Sequence, residues 1–200
     1  MKEQVKAILD FWFQDVMTNL ESLNKCRSLW FGKNKTTDEY LREHFFGLLK
    51  QAALGKLDAW CQDEQSTLAL IILLDQFSRN IFRDTEKMYV NDEKVLQICL
   101  QMIAKKMDLS LHPIQRFFAY MPLQHVEDKR LQALSVICFK DLAEMASEEW
   151  RGQLLHGLEY AIAHKEIIDR FGRFPHRNQL LNRRSTPEEI EFLKQPGSSF

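Results

Sequence analysis

Glycine and proline are scarce in this chain, seven and five among 200 residues, which argues against a turn-dense sandwich or a Pro/Gly-rich disordered segment. No purely aliphatic run exceeds the seven residues from Leu68 to Leu74, far short of the roughly 20 that span a bilayer as a helix. Neither sign of charge dominates: 27 Lys and Arg face 28 Asp and Glu, a formal net charge of -1, so no overall field recruits nucleic acid or a membrane surface. C-x-x-C pairs are missing, and Cys26, Cys61, Cys99 and Cys138 are too far apart for a zinc motif. No Gly-rich phosphate loop, G-x-S-x-G, H-E-x-x-H or dinucleotide fingerprint occurs. Neither a metal nor a cofactor is therefore expected. Charged residues from Lys2 to Lys6, then Asp10, leave no uncharged core for a secretory signal. The cysteines read as reduced, mostly buried thiols of a cytoplasmic protein.

What the chain does have is apolar residues at helical spacing. Hydrophobic residues make up 45% and charged residues 28%, a balance that suits one globular domain over 1–200. Val5, Ile8, Leu9, Trp12 and Phe13 recur every three or four residues, predicting a helix from about 2 to 14. Residues 14 to 36 read as a loop pinned by Trp30 and Phe31. Thr37 or Asp38 opens a second helix that stops near Gly55. The segment 64–83 reads as one helix without a polar face along its aliphatic run, and such a helix is surrounded by others. Further helices are expected from Asn91 or Asp92 to about Lys106, after a Ser110 cap, from Asp128 to Met145, from Ser147 to Phe171 with Gly172 as its stop, and after the Thr186-Pro187-Glu188-Glu189 start signal. Pro122 predicts a kink or break, since it removes an amide donor and crowds the Phe118 carbonyl. The fold class is all-α, a bundle or an array of antiparallel helical hairpins.

Three segments set polar residues beside strongly apolar ones. In Leu74-Asp75-Gln76-Phe77-Ser78-Arg79-Asn80, Asp75 and Arg79 stand one turn apart and can pair. An internal salt bridge that fixes packing is weighed there against a ligand role. From Arg116 to Asp128, His125 lies among Glu127 and Asp128, an arrangement suited to proton transfer or simply to capping the next helix. From His164 to Asn178, His164 falls on the apolar face of its helix and should point inward. Arg173, His176, Arg177, Arg183 and Arg184 then follow with no acid before Glu188. Planar guanidinium groups suit phosphate or carboxylate, and equally the protein's own Asp75, Asp92 or Glu127.

These same segments, Leu74 to Arg83, Pro122 to Glu127, His164 to Asn178 and Arg184 to Leu193, resemble the bacterial family called domain of unknown function number 924. Two departures stand out: Val126 replaces a small polar residue between His125 and Glu127, and Asn182 replaces a glycine before the Arg pair. The resemblance implies a tetratricopeptide-like α-α superhelix and no established activity. The leading expectation is an Arg/His-rich pocket for a small anionic ligand bearing phosphate or carboxylate. Asp75, Arg79, Arg116, Glu127, Arg173, Arg177 and Asn178 are the candidate binding residues, and His125, His164 and His176 the candidate catalytic proton carriers. The competing expectation is a helical scaffold that docks a peptide or protein partner in a groove, with the charged motifs locking the fold.

Overall fold

The computed structural model describes residues 1–199. All regular structure among them is helical: α1 (Lys2–Phe13), α2 (Leu23–Phe31), α3 (Lys35–Ala53), α4 (Glu64–Ile72), α5 (Ser78–Ile81), α6 (Asp92–Ala104), α7 (Pro113–His125), α8 (Lys129–Glu144), α9 (Glu148–Phe171) and α10 (Pro187–Leu193), with short 3-10 turns between several of them. No helix among the described residues is long and apolar enough to cross a membrane. The chain groups into two compact units. The first holds Met1–Arg83 and Lys87–Pro122, and the second holds Asp84–Glu86 and the chain from Leu123 onward.

In the first unit α4 is the central element. Every residue from Ser66 to Ile72 is buried, as expected of a helix with no polar face. Its start is fixed by Asp63, whose side chain accepts the Ser66 amide at 2.9 Å. The helix does not run unbroken to residue 83 as its sequence suggests. Leu73–Phe77 forms a π turn, and α5 resumes at Ser78. All five residues of this turn, Asp75 and Gln76 included, are buried. Around it packs an aromatic cluster: the Trp12 ring lies 5.6 Å from Phe77 and 5.4 Å from Phe118, and Trp30 lies 4.8 Å from Phe118. Such rings supply large buried area and prefer the edge-on geometry seen here.

The predicted loop 14–36 is corrected by α2. Its two buried anchors, Cys26 and Trp30, stand one turn apart, too few to register as an apolar stripe. The Trp30 indole donates to the Trp12 carbonyl at 2.7 Å, tying α2 to α1. Ser110 is not the cap of the next helix: its hydroxyl donates back to the Met107 carbonyl. His112 takes that role, its Nδ1 accepting the Ile114 amide at 3.3 Å while its own amide donates to Gln115 Oε1 at 3.1 Å. Pro122 does not break α7, which continues to His125. The residues on both sides of it, Phe118 to Leu123, are buried, and unwinding them would expose more than one lost hydrogen bond returns.

In the second unit α8 and α9 form a hairpin across Met145–Ser147. Lys129, at the start of α8, donates to the Asp169 carbonyl near the end of α9 at 3.0 Å, so the two run antiparallel. Asp128 caps α8 through the amides of Arg130 and Leu131. Gln132, fully buried, donates to the carbonyls of Gln124 at 2.7 Å and Val126 at 2.8 Å. Those carbonyls lie at the end of α7, where intrahelical donors run out. Gly172 ends α9 in the left-handed region at φ 70°, where a side chain would be strained. Thr186 and Glu189 close a reciprocal capping box on α10.

Candidate functional site

The first unit holds Asp75, Arg79 and Arg116, each already engaged. Arg79 reaches Asp92 at 2.9 Å and Asp75 at 3.5 Å, donates to the Met88 carbonyl at 2.7 Å, and lies 5.1 Å from the centre of the Tyr89 ring. Burial would lower its pKa, but the Asp92 and Asp75 charges outweigh that and raise it. Asp75 also accepts from Gln76 Nε2. Arg116 donates to the Tyr120 hydroxyl at 2.9 Å, and that hydroxyl donates to Asp108, which stands 3.8 Å from the guanidinium. Burial and the Asp108 hydrogen bond push the Tyr120 phenol well above its ordinary pKa.

In the second unit the polypeptide after α9 is clamped at Phe174. Glu127 accepts the Phe174 amide at 2.8 Å, Arg183 donates to the Phe174 carbonyl at 3.0 Å, and Arg183 and Glu127 pair through two bonds of 2.6 and 2.9 Å. Burial opposes ionisation of Glu127, yet the bonds from Arg183 and Phe174 hold its carboxyl below the usual value. Arg173 forks onto Glu189 at 2.6 and 2.8 Å. This fork, with the Thr186 amide and Asn178, pulls the Glu189 carboxyl down to about 2. Asn178 accepts from Arg183 Nε at 2.9 Å and donates to Ser185 and Glu189. The turn carrying these groups needs a left-handed residue at Asn182, φ 52°. Asparagine tolerates that conformation, which accounts for its standing in a glycine position.

The Phe174 ring, fully buried, is the platform for the remaining candidates. Arg177 lies over it with Cζ 4.5 Å from the ring centre, His164 meets it edge-on at 5.5 Å, and His176 is tilted against it at 5.6 Å. His125 lies 6.4 Å from His164. His164 is 5% exposed, and burial drives its pKa down to about 3, with the neighbouring His125, Arg177 and His176 acting the same way. Its Nδ1 lies 2.7 Å from the Tyr160 carbonyl. A carbonyl only accepts, so Nδ1 carries the proton and the neutral ring keeps its lone pair on Nε2.

The profile of the family described as "Bacterial protein of unknown function (DUF924)" matches residues 8–197. The chain belongs to this family. A solved structure of a protein of unknown function from Agrobacterium tumefaciens is similar, at 32% identity and a TM-score of 0.82, covering 96% of this chain and 98% of that one. No curated protein matches the chain.

Within this DUF924 chain, then, Asp75 pairs with Arg79 in one unit and Arg116 with Asp108 and Tyr120 in the same unit, while Glu127, Arg173, Arg177, Asn178 and the three histidines belong to the other. Sequence reasoning missed Asp108 and Glu189 as partners and Phe174 as the platform. Glu189 did carry a signal, as the acid of the capping box, but its second role toward Arg173 depends on the chain folding back 16 residues. Asp108 carried none. Among the described residues no group of three His, Cys, Asp or Glu is disposed to hold a metal ion.

Proposed function

We propose that the DUF924 chain binds a small anionic ligand, bearing phosphate or carboxylate, at the cluster of His125, His164, His176 and Arg177. The observation that carries this reading is the gathering of three imidazoles and a guanidinium around one buried aromatic ring. Arg177 offers only donors, and two half-buried imidazoles beside it add protonatable ones. Proton carriage falls to His125 and His176, because a group titrating near 3, as His164 does, stays neutral at physiological pH. Arg79, Arg116, Arg173 and Arg183 meet internal carboxylates, which supports a structural role for them and for Asp75, Glu127 and Asn178. The dispersed cysteines support a cytoplasmic setting, and the α8–α9 hairpin a tetratricopeptide-like arrangement.

The test is a thermal-shift titration of the full chain with inorganic phosphate against chloride at matched ionic strength. Phosphate should raise the melting temperature, by about 2.7 kcal/mol of stabilisation at 100 times its dissociation constant. His176→Gln should melt within a few degrees of the parent and lose the shift. No shift with phosphate or any carboxylate overturns the reading.

A second reading is a helical scaffold that docks a peptide or protein. It is favoured by the exposed Leu155 and Ile162 on α9, two turns apart on one face. It predicts no anion-dependent shift.

A further inference from the structure

We propose that two copies of this chain associate through the solvent face of α9, antiparallel about a two-fold axis near Leu158, so that Arg151 of each copy pairs with Glu166 of the other. This inference is independent of the anion-binding reading. His164 stands two residues after Ile162, a rotation of about 200°, and belongs to the buried side of the helix.

A helix that buries one face normally turns charged or polar residues to water on the other. On α9 the buried Gly157, Ala161, His164 and Ile168 share one stripe. Opposite them, at about 100° per residue, stand Arg151, Leu155, Leu158, Ile162 and Glu166, a row with an apolar middle and one charge of each sign at its ends. Leu155 is 45% and Ile162 40% exposed, and Leu158 is half-buried. Ile137 of α8, 56% exposed, is level with this row, because the two helices run antiparallel from the Lys129–Asp169 contact to the link at Met145–Ser147. Neighbouring charges are already matched within the chain, Lys165 with Asp169 and Arg170 with Glu188. Among the described residues Arg151 and Glu166 enter no ion pair. Arg151 lies four residues before Leu155 and Glu166 four after Ile162, so the row reads alike in both directions except for the sign at its ends. Two rows laid parallel would set Arg151 against Arg151. Laid antiparallel, they bring Leu155 of one copy to Ile162 of the other and join each Arg151 to a Glu166, the same patch serving both copies as a closed two-fold contact requires. This self-complementarity favours a second copy over an unrelated peptide as the occupant. One helix pair covers less than the roughly 1,200 Å² of a permanent interface, so the dimer is a reversible one, with a dissociation constant on the order of 10 µM.

Sedimentation velocity of the full chain between about 1 and about 500 µM should show the average mass rising from one chain to two. Arg151→Glu and Glu166→Arg each set like charges against one another at both ends of the contact, and each should weaken association at least about tenfold. Mixed in equal amounts, the two variants regain opposite charges at both ends, and the mixture should associate about as tightly as the parent. Both positions are exposed, and far-ultraviolet circular dichroism checks that each variant keeps the parent's helix content. In case a variant does not fold, nitrogen-15 amide spectra of the parent supply a second readout, with concentration-dependent shifts expected to cluster between Arg151 and Glu166. A parent that stays monomeric throughout, variants that associate as the parent does, a mixture no tighter than its components, or shifts that cluster elsewhere overturns this inference and leaves the anion-binding reading standing.

Discussion

Protonating His164 would place a cation in a site that already holds Arg177 and two further imidazoles, 5% open to water. In the unfolded chain the ring takes its proton near 6.5, in the folded chain only near 3. Between those values the unfolded state binds more protons, so stability falls as pH falls through the window and is unaffected above it. The carboxylates of Glu127 and Glu189, whose folded values are depressed, contribute stability above 4.5 that is lost only at lower pH. From pH 6.5 to 4.5 the histidine therefore acts without them, and denaturant titrations should show about 2 to 3 kcal/mol lost over that range. His164→Leu should flatten that slope. A parent whose stability is constant from pH 6.5 to 4.5 would show that the ring is not held neutral. The inward position of His164 was legible, because it shares a helical stripe with Ile167, Ile168 and Phe171. Its platform was not, because Phe174 reaches it only after the chain has turned at Gly172.

At the scale of elements, helix type and several helix ends were readable from a cap or a stripe, but the start of α3 was not: Asn34 caps it by accepting the Thr37 amide, in place of the expected Thr37 or Asp38. Asp128 and the Thr186–Glu189 box cap where their side chains indicate. Residues with only two anchors, such as Cys26 and Trp30 on α2, gave no periodic signal. The π turn at Leu73–Phe77 gave none either, since every position there is buried and a uniform run hides a change of pitch. That turn places Asp75 beside Arg79 with no exposure of the aspartate side chain. Removing the carboxylate leaves a guanidinium that keeps Asp92, so Asp75→Ala should cost about 3 kcal/mol, the low end for breaking a buried pair. Chemical denaturation measures it, and a loss below about 0.5 kcal/mol would mean that Asp75 carries no share of the charge balance.

Over the whole molecule, a net charge of -1 conceals local imbalance. The basic run after α9 has no acid of its own before Glu188, and its neutralising carboxylates come from elsewhere in its unit: Glu127 for Arg183 and Glu189 for Arg173. Sequence order reveals the demand for such partners and not their identity, because the separations are 56 and 16 residues. The Glu127–Arg183 bridge has a kinetic meaning as well. Closing a segment of 56 residues carries an entropic penalty that grows with its length, so the bridge should form late, after α8 and α9 have paired through their three-residue link. Interactions absent from the transition state act on the rate of escape from the native state. Glu127→Gln should accordingly hasten unfolding in stopped-flow measurements while refolding proceeds at nearly the parent rate, making this bridge a latch on the lifetime of the folded second unit.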